Sequence, residues 1–329
     1  MTVTITVAPY QPGTPLDREL AHLGYAAMVG WADQRPVTDA LVRSRLRPPA
    51  NGAATTVFLA RSAGGALSGA AALRQPTAPG GPARVWGPIV DPSCQRRGLG
   101  TALLAQVLDT VTDPTMVVYS AEIPARRRHG WDLFHRAGWH LHATAALLKG
   151  PITALPGAAD PPQPHAGPQI HAVTPAHADA LARLYHAVHP AQGVTVAADT
   201  DRRWRADDRF INEGLLGVTG RDGELEAAVL LYPLAHTEPG EPTEALLADV
   251  LIHPAADRPA LAGPMISAAL AAGARHGAHV ARAIVPATAS KLLADLQAAG
   301  LRTVEEIYYY QAPPLRTAHD AISSPERRP

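Results

Sequence analysis

The chain has 329 residues, which is the length of about two domains of ordinary size. Its 29 basic and 29 acidic residues cancel, so it lacks the positive excess of a nucleic-acid-binding protein. The one cysteine excludes a disulfide within the chain. We find neither a signal-peptide pattern nor an apolar run of roughly 18 residues. We therefore expect a cytoplasmic protein with no nucleic-acid or membrane partner.

The beginning of the chain predicts a strand, a helical region and a hairpin. Residues 2–8 alternate as a strand, and apolar residues recur at helical spacing between 19 and 28. A hairpin over 57–73 turns at Gly64 and Gly65.

A short basic turn follows the next predicted strand. The strand, residues 84–90, is apolar at its end, and an apolar helix is predicted over 99–111. Backbone N–H groups at the start of a helix bind phosphate well. The turn therefore predicts a site for a pyrophosphate.

The side chains of the turn support this interpretation. Gly98 and Gly100 lack Cβ atoms, so a ligand can come close to the main chain. Arg96 and Arg97 add positive charge beside the amides. An ordinary glycine-containing turn between a strand and a helix remains the alternative interpretation.

Two familiar phosphate-binding motifs do not fit the turn. A dinucleotide-binding turn needs a third glycine where this chain has Leu103, and a P-loop needs Gly-Lys-Ser or Gly-Lys-Thr. The order Gln-x-x-Gly-x-Gly over 95–100, after a strand that ends Val-Asp-Pro at 90–92, instead resembles the acyl-CoA loop of GNAT-type N-acetyltransferases.

The two halves of the chain repeat each other. Landmarks in the first half recur 162 residues later: Pro92 as Pro254, Pro124 as Pro286, and Gly138 as Gly300. A Pro- and Gly-rich stretch over 151–168 reads as a linker, and a polar tail over 313–329 as disordered. A duplicated domain, over 1–150 and again over 169–312, is the simplest account.

The second half repeats the predicted elements as well as the landmarks. A strand over 169–173 and a helix over 176–188 precede a hairpin that turns at 221–224, and a helix over 261–273 precedes a strand over 280–285. In each half the order is β-α-α-β-β-β-α-β-α-β, which predicts an α/β fold with a mixed, mostly antiparallel sheet flanked by helices. This order resembles the GNAT fold, so we expect two GNAT-like domains in tandem, each with a parallel strand pair that splays apart.

The resemblance implies acetyl-CoA as co-substrate and assigns its contacts in the first half. Backbone groups of the strand before the turn are expected to pair with the pantetheine arm, and backbone amides of the turn to hold the pyrophosphate. The implied cofactor-binding residues are Ile89, Val90, Gln95, Arg96, Arg97, Gly98, Leu99, Gly100 and Thr101.

N-acyl transfer also needs a group that takes a proton from the amine. Glu122 follows the second strand of the splayed pair and is the candidate base, with a solvated strand-end carboxylate as the alternative. Asp91 is interpreted as a cap of the turn, with a catalytic base as the alternative. The family often has a proton-donating tyrosine where this chain has Phe134, so we consider Tyr119 as the substitute catalytic residue.

The second half departs from the acyl-CoA loop. At the 162-residue offset Gln95 becomes Asp257, both glycines become alanine, and Pro259 removes a backbone donor. We predict that this half binds no acyl-CoA in this manner. Its expected role is to complete the substrate pocket and to stabilise the first half.

The leading hypothesis is direct acetyl transfer, catalysed in the first half, to an amine of a small molecule or peptide. Metabolite tailoring or self-resistance would fit, and tandem members of the family include mycothiol synthase, a weaker match because the second half lacks the glycines. A non-catalytic acyl-CoA-binding or regulatory protein and a protein N-terminal acetyltransferase remain alternatives. His135, His140 and His142 share no face and have no cysteine partners, so we expect no metal. A monomer or a homodimer is expected.

Overall fold

The computed structural model describes residues 3–28, 37–48, 54–75, 82–111, 117–120, 123–152, 168–190, 193–207, 209–234 and 243–312. The chain divides into two compact units, one formed by residues 1–144 and 307–329 and the other by residues 145–306. Most of the predicted linker and all of the predicted tail lie outside the described residues.

The first half of the chain follows the predicted order of elements, with one short strand added. The elements are β1 (Val3–Pro9), α1 (Pro15–Met28), α2 (Asp39–Leu46), β2 (Thr55–Ser62), β3 (Leu67–Arg74), β4 (Pro82–Val90), α3 (Leu99–Thr110), β5 (Val117–Ser120), β6 (Ile123–Pro124), α4 (Arg128–Arg136) and β7 (His140–Pro151). The added strand, β6, has two residues.

The second half repeats this order, with the helical region after its first strand divided into three helices. The elements are β8 (Ile170–Ala172), α5 (Ala178–Val188), α6 (Val194–Ala198), α7 (Thr200–Arg205), β9 (Leu215–Thr219), β10 (Leu225–Pro233), β11 (Glu244–Ile252), α8 (Arg258–Arg275), β12 (Val280–Pro286), α9 (Ser290–Ala298) and β13 (Arg302–Gln311). Helix α8 begins earlier than predicted, because Pro259 lies in its first turn, where a backbone N–H has no helical partner.

The sheet of each unit is mixed and mostly antiparallel, as predicted. In the first unit the strands lie in the order β1-β2-β3-β4-β5-β13, and in the second unit in the order β7-β12-β11-β10-β9-β8. Only β4 with β5 and β11 with β12 pair in parallel among the strand pairs of the described ranges. The predicted α/β fold class, with a mixed, mostly antiparallel sheet in each half, is therefore confirmed.

Each unit takes its last strand from the other half of the chain. Residues 145–151 of β7 pair with residues 280–286 of β12 in the second unit. The end of β13 pairs with β5 and β6 in the first unit, through Gln311 with Tyr119 and Tyr308 with Ile123. The predicted boundaries placed residues 145–150 with the first domain and 307–312 with the second, and the compact units place both segments the other way round.

Two hydrophobic cores lie on opposite faces of the first unit's sheet. Phe58 and Ala60 of β2 point towards α3 and α4, whereas Val57 and Leu59 point towards α1 and α2. Successive strand residues face opposite sides, so a strand buried on both faces reads as a continuous apolar run. Helix α3, which follows β4 in the chain, packs on the face that carries Phe58 and Ala60.

Candidate functional site

Strands β4 and β5 separate halfway along β4. They pair in parallel from Pro82 with Val117 to Val85 with Ser120. Beyond Val85, β4 pairs with β3 alone among the described strands. Among the described residues, one backbone edge of residues 86–90 therefore has no strand partner and borders a gap, as expected for the splayed pair that the family resemblance predicts.

A bulge bends β4 at this gap. Its register against β3 shifts between Ala70 and Ala72, so Gly87 and Pro88 lie opposite a single residue. Gly87 has φ +81°, and a Cβ there would come within 2.9 Å of the Ala70 carbonyl oxygen. Only glycine fits this position. The bulge leaves Ile89 and Val90, both half-buried, at the end of the gap.

Asp91 begins the turn that follows β4. Its Oδ1 accepts hydrogen bonds from the Ser93 backbone N–H at 2.9 Å and the Ser93 hydroxyl at 2.5 Å. The Cys94 N–H donates to the Asp91 carbonyl oxygen at 2.8 Å, and the Cys94 side chain is buried. Asp91 is thus a cap, as its sequence position predicted, and it holds the turn in shape.

The backbone N–H groups of residues 96–101 form a row of unsatisfied donors. None of them donates a hydrogen bond within the described part of the chain, and the first satisfied N–H is that of Ala102, to the Gly98 carbonyl oxygen at 2.9 Å. Left-handed backbone angles at Arg96 (φ 59°) and Gly98 (φ 81°) turn the chain into the N-terminus of α3. Such a turn directs successive N–H groups towards one anion.

Positive side chains and a cavity accompany these amides. Arg96 and Arg97 are exposed and make no ion pair with any residue in the described ranges. A cavity of about 320 Å³ lies beside the turn, and its lining residues are Val3, Ile5, Cys94, Arg97, Gly98, Leu99 and Ala102. The arrangement fits a ligand that carries phosphate.

Two residues of the predicted set have additional structural roles. The Gln95 N–H donates to the Pro92 carbonyl oxygen at 3.4 Å, and the Gln95 side chain donates to the Val90 carbonyl oxygen at 3.0 Å. Its amide is therefore already engaged. A Cβ at Gly100 would lie 3.1 Å from Leu133 Cδ2, so this glycine lets α4 pack against α3. The sequence motif contains no sign of that contact.

For the remaining predicted residues the structure gives less detail. Leu99 is half-buried and Thr101 is exposed at the start of α3. The backbone of Tyr119 lies in β5, paired with Arg84 on one side and Gln311 on the other. Glu122 lies outside the described residues.

The second unit has a similar gap between its parallel strands. Strand β11 pairs with β12 over residues 244–247 and then with β10 alone, within the ranges that the structure describes. A register shift between Leu230 and Leu231 bulges β11 at this point. The gap itself is therefore duplicated.

The turn after β11 differs, because its amides are mostly satisfied from within. The Ala260 and Leu261 N–H groups donate to the Asp257 carbonyl oxygen at 3.1 Å, and the Ala256 N–H donates to the His253 carbonyl oxygen at 2.9 Å. The Asp257 carboxylate also accepts from Ala260, at 3.4 Å. With prolines at 254 and 259, this turn presents few free donors, and the Asp257 carboxylate stands where the first turn has Gln95. Arg258, at the position of Arg96, is paired with Asp295 at 2.6 Å.

Comparisons with known proteins agree with this geometry. The acetyltransferase (GNAT) family model matches residues 28–139. A solved tandem GNAT protein from the clavulanic acid biosynthesis pathway is 19% identical, and the match covers 95% of this chain and 100% of that one with a TM-score of 0.71. The chain has the tandem GNAT fold.

Other solved structures share this tandem GNAT fold at low identity. A GCN5-related N-acetyltransferase from Sphaerobacter thermophilus is 14% identical, with a TM-score of 0.70 over 95% of this chain and 98% of that one. The N-myristoyltransferase of Saccharomyces cerevisiae with bound myristoyl-CoA is 12% identical, with a TM-score of 0.59 over 94% of this chain and 78% of that one. Comparison with curated protein sequences gave no match.

The GNAT helix α4 carries Phe134, which lies in the core. Its side chain is 2% exposed. Its ring meets the Trp139 ring edge-on at 4.9 Å and stacks on the Tyr310 ring at 5.6 Å. Burial raises the pKa of the Tyr310 phenol, and the neighbouring Tyr308 and Asp132 raise it further. The sequence analysis did not predict the contact between Phe134 and Tyr310, because it assigned the last strand to the second half.

Across the described ranges, no three His, Cys, Asp or Glu side chains are grouped as metal ligands. No helix within those ranges is long and apolar enough to cross a membrane.

Proposed function

We propose that the protein is an acyl-CoA-dependent N-acyltransferase that uses acetyl-CoA and acts on an amine of a small molecule or peptide. The observation that carries the proposal is the row of N–H groups over residues 96–101, which are unsatisfied within the described part of the chain, with the exposed Arg96 and Arg97 beside it. The GNAT family match over residues 28–139 and the myristoyl-CoA bound to a protein of the same fold support it. We also propose that the protein acts in the cytoplasm, as a monomer or a homodimer.

The main chain of the first unit offers two complementary binding surfaces for the co-substrate. The amides of residues 96–101 could bind an anion and suit the pyrophosphate. The open backbone edge at Ile89 and Val90 suits the amide groups of a pantetheine arm, which pair like an added strand. The thioester would then lie in the gap between β4 and β5.

The reaction needs an amine delivered in its neutral form close to the thioester carbon. The amine nitrogen forms a C–N bond there, and the C–S bond breaks with its electron pair on sulfur. Glu122 accepts the surplus proton of the amine, directly or through water, because it follows the strand that borders the gap. Tyr119, on the same strand, is the candidate proton donor to sulfur.

A non-catalytic acyl-CoA-binding function is the second candidate. It is favoured by Phe134, which is buried and has no hydroxyl group where many relatives carry a tyrosine. Such a protein would bind acetyl-CoA through the same amides and release no free CoA.

Calorimetry with acetyl-CoA and a free-thiol assay separate the two candidates. We expect binding, and thiol release with at least one amine from a panel of amino sugars, polyamines, amino acids and dipeptides. Glu122→Gln should lower kcat about 10²-fold or more at an unchanged Kd for acetyl-CoA. Binding without thiol release across the panel supports the non-catalytic candidate, and absence of acetyl-CoA binding overturns both.

A further inference from the structure

The gap in the second unit has a carboxylate at its opening. Asp249 lies two residues beyond Leu247, the last residue of β11 that pairs with β12 in the described part of the chain. Its side chain faces α5, because its Oδ1 lies 3.5 Å from Nε2 of His189, the residue that caps this helix at its C-terminal end. The carboxylate therefore stands beside a backbone edge, residues 248–252, whose strand partner within the described ranges is β10 alone.

The Asp249 carboxylate has room for a further partner. Its Oδ1 accepts a hydrogen bond from the Val250 N–H at 2.9 Å, and its Oδ2 accepts none from the described residues. The 3.5 Å to His189 is longer than the roughly 2.8 Å usual for a hydrogen bond between charged groups. The two side chains are 22% and 37% exposed, so a ligand can reach them from solvent. A largely buried carboxylate gains from a charged donor, since its loss of water is costly.

Arg203 supplies the opposite charge on the same side of the sheet. Its guanidinium lies over the Tyr185 ring, 5.4 Å from the centroid, and it forms no ion pair with any residue in the described ranges. The Tyr185 ring lies in turn 4.8 Å from the His189 ring. An arginine and a carboxylate thus flank one tyrosine–histidine pair without pairing with each other.

The neighbouring charges leave this arrangement in balance. Asp207 and Arg209 form a bidentate pair with N–O distances of 2.8 and 2.7 Å. Burial raises the pKa of the Tyr232 phenol most. Asp207 and Asp249 raise it further, whereas Arg209 and Arg203 lower it, so Asp249 and Arg203 both lie close to one hydroxyl group. One negative and one positive side chain therefore remain available to a ligand.

We propose that the opening of this gap binds a zwitterion, a free amino acid or a short peptide, without acylating it. The ammonium group of the ligand donates to Asp249, and its carboxylate accepts from the guanidinium of Arg203. The backbone edge of residues 248–252 offers further hydrogen bonds to a peptide. We expect no acylation there, since the turn after β11 satisfies most of its own amides. The site goes beyond the proposed function and does not depend on it.

Calorimetry of the full chain without acetyl-CoA tests the site with a panel of free amino acids and alanyl dipeptides. The tightest of these compounds is then compared with its carboxamide, which lacks the carboxylate, and with its N-acetyl derivative, which lacks the ammonium group. We expect each derivative to bind at least 10-fold more weakly, because each loses one charge-assisted hydrogen bond. Tighter binding of the amino acids or of the dipeptides identifies which source the site takes.

Two variants locate the binding. Asp249→Asn and Arg203→Gln each remove one charge, and we expect each to raise the Kd of the tightest compound about 10- to 100-fold. Their melting temperatures and their Kd for acetyl-CoA should match those of the wild type. Arg202→Gln is the matched control, since this exposed neighbour pairs with Asp199, and its Kd should stay within twofold of the wild type.

Several results would overturn the inference and leave the proposed acyl transfer standing, since thiol release by the wild type measures that function separately. Binding of no compound in the panel is one, and equal affinity in both variants is another, because the ligand then lies elsewhere. A carboxamide that binds as tightly as its parent indicates a site for a plain amine. If both variants lose affinity and melt well below the wild type, the two charges are structural.

Discussion

Three glycines near the turn are required for three different physical reasons. Gly87 allows a left-handed bulge against the Ala70 carbonyl, and Gly100 makes room for Leu133. Gly98 has nothing within 4 Å of an added Cβ, so its backbone angle and the open space in front of it are what matter. Of the three, Gly98 is the position where a side chain would meet a ligand before it met the protein.

Replacement of Gly98 by aspartate or asparagine isolates the charge of the proposed anion site. Both side chains have nearly the same shape, and both tolerate left-handed backbone better than other residues do. We expect Gly98→Asp to bind acetyl-CoA at least 10-fold more weakly than Gly98→Asn by calorimetry, because the carboxylate repels the pyrophosphate. Thermal melting should differ little between them. Equal affinities would show that residues 96–101 do not form the anion site.

At the scale of elements, the exchanged strands make the first unit depend on the end of the chain. Strand β13 supplies Tyr310, which is 1% exposed and stacks on Phe134 in the core beside α3. Loss of a large buried aromatic side chain costs about 3–5 kcal/mol, a large part of a domain's stability. We therefore expect that the first 150 residues alone do not form a stable acyl-CoA-binding domain.

Two truncations test this dependence. A chain that ends at residue 301 lacks β13, and we expect it to lose acetyl-CoA binding together with the cooperative unfolding of the first unit. A chain that ends at residue 312 keeps β13 and is the control, with wild-type affinity and melting temperature. Tight acetyl-CoA binding by the shorter chain would show that the first unit is complete without the exchanged strand.

At the scale of the whole molecule, the two units share one feature of the proposed acyl-CoA site and differ in another. Both units part their parallel strands, but only the first, in the ranges that the structure describes, follows the gap with a row of unsatisfied N–H groups. In the second unit, Asp257 satisfies the amides at the start of α8 with its own carbonyl and carboxylate oxygens. A pyrophosphate there would meet a negative charge.

We therefore expect one acetyl-CoA per chain. Isothermal titration of the full chain should give a stoichiometry near 1, and Gly98→Asp should reduce the observed binding towards zero rather than to a second, weaker site. Two sites of comparable affinity per chain would contradict the interpretation of the second turn.

Much of the fold is readable from local sequence patterns. Alternation and helical spacing predicted the order of strands and helices, and the 162-residue offset predicted the duplication. The cap at Asp91 and the position of α3 were also predicted, because each depends on residues close in sequence. The place of Gly98 in the turn could be predicted for the same reason.

Contacts between distant residues were decided only in the tertiary structure. A strand has the same alternating pattern whichever sheet it joins, so the exchange of β7 and β13 leaves no mark in the sequence. The need for Gly100 depends on Leu133, and the setting of Phe134 depends on Tyr310. The sequence alone determined the elements, the repeat and the turn, since these follow from neighbouring residues. Only packing decided which strand completes each sheet, because that choice depends on contacts between residues far apart in the sequence.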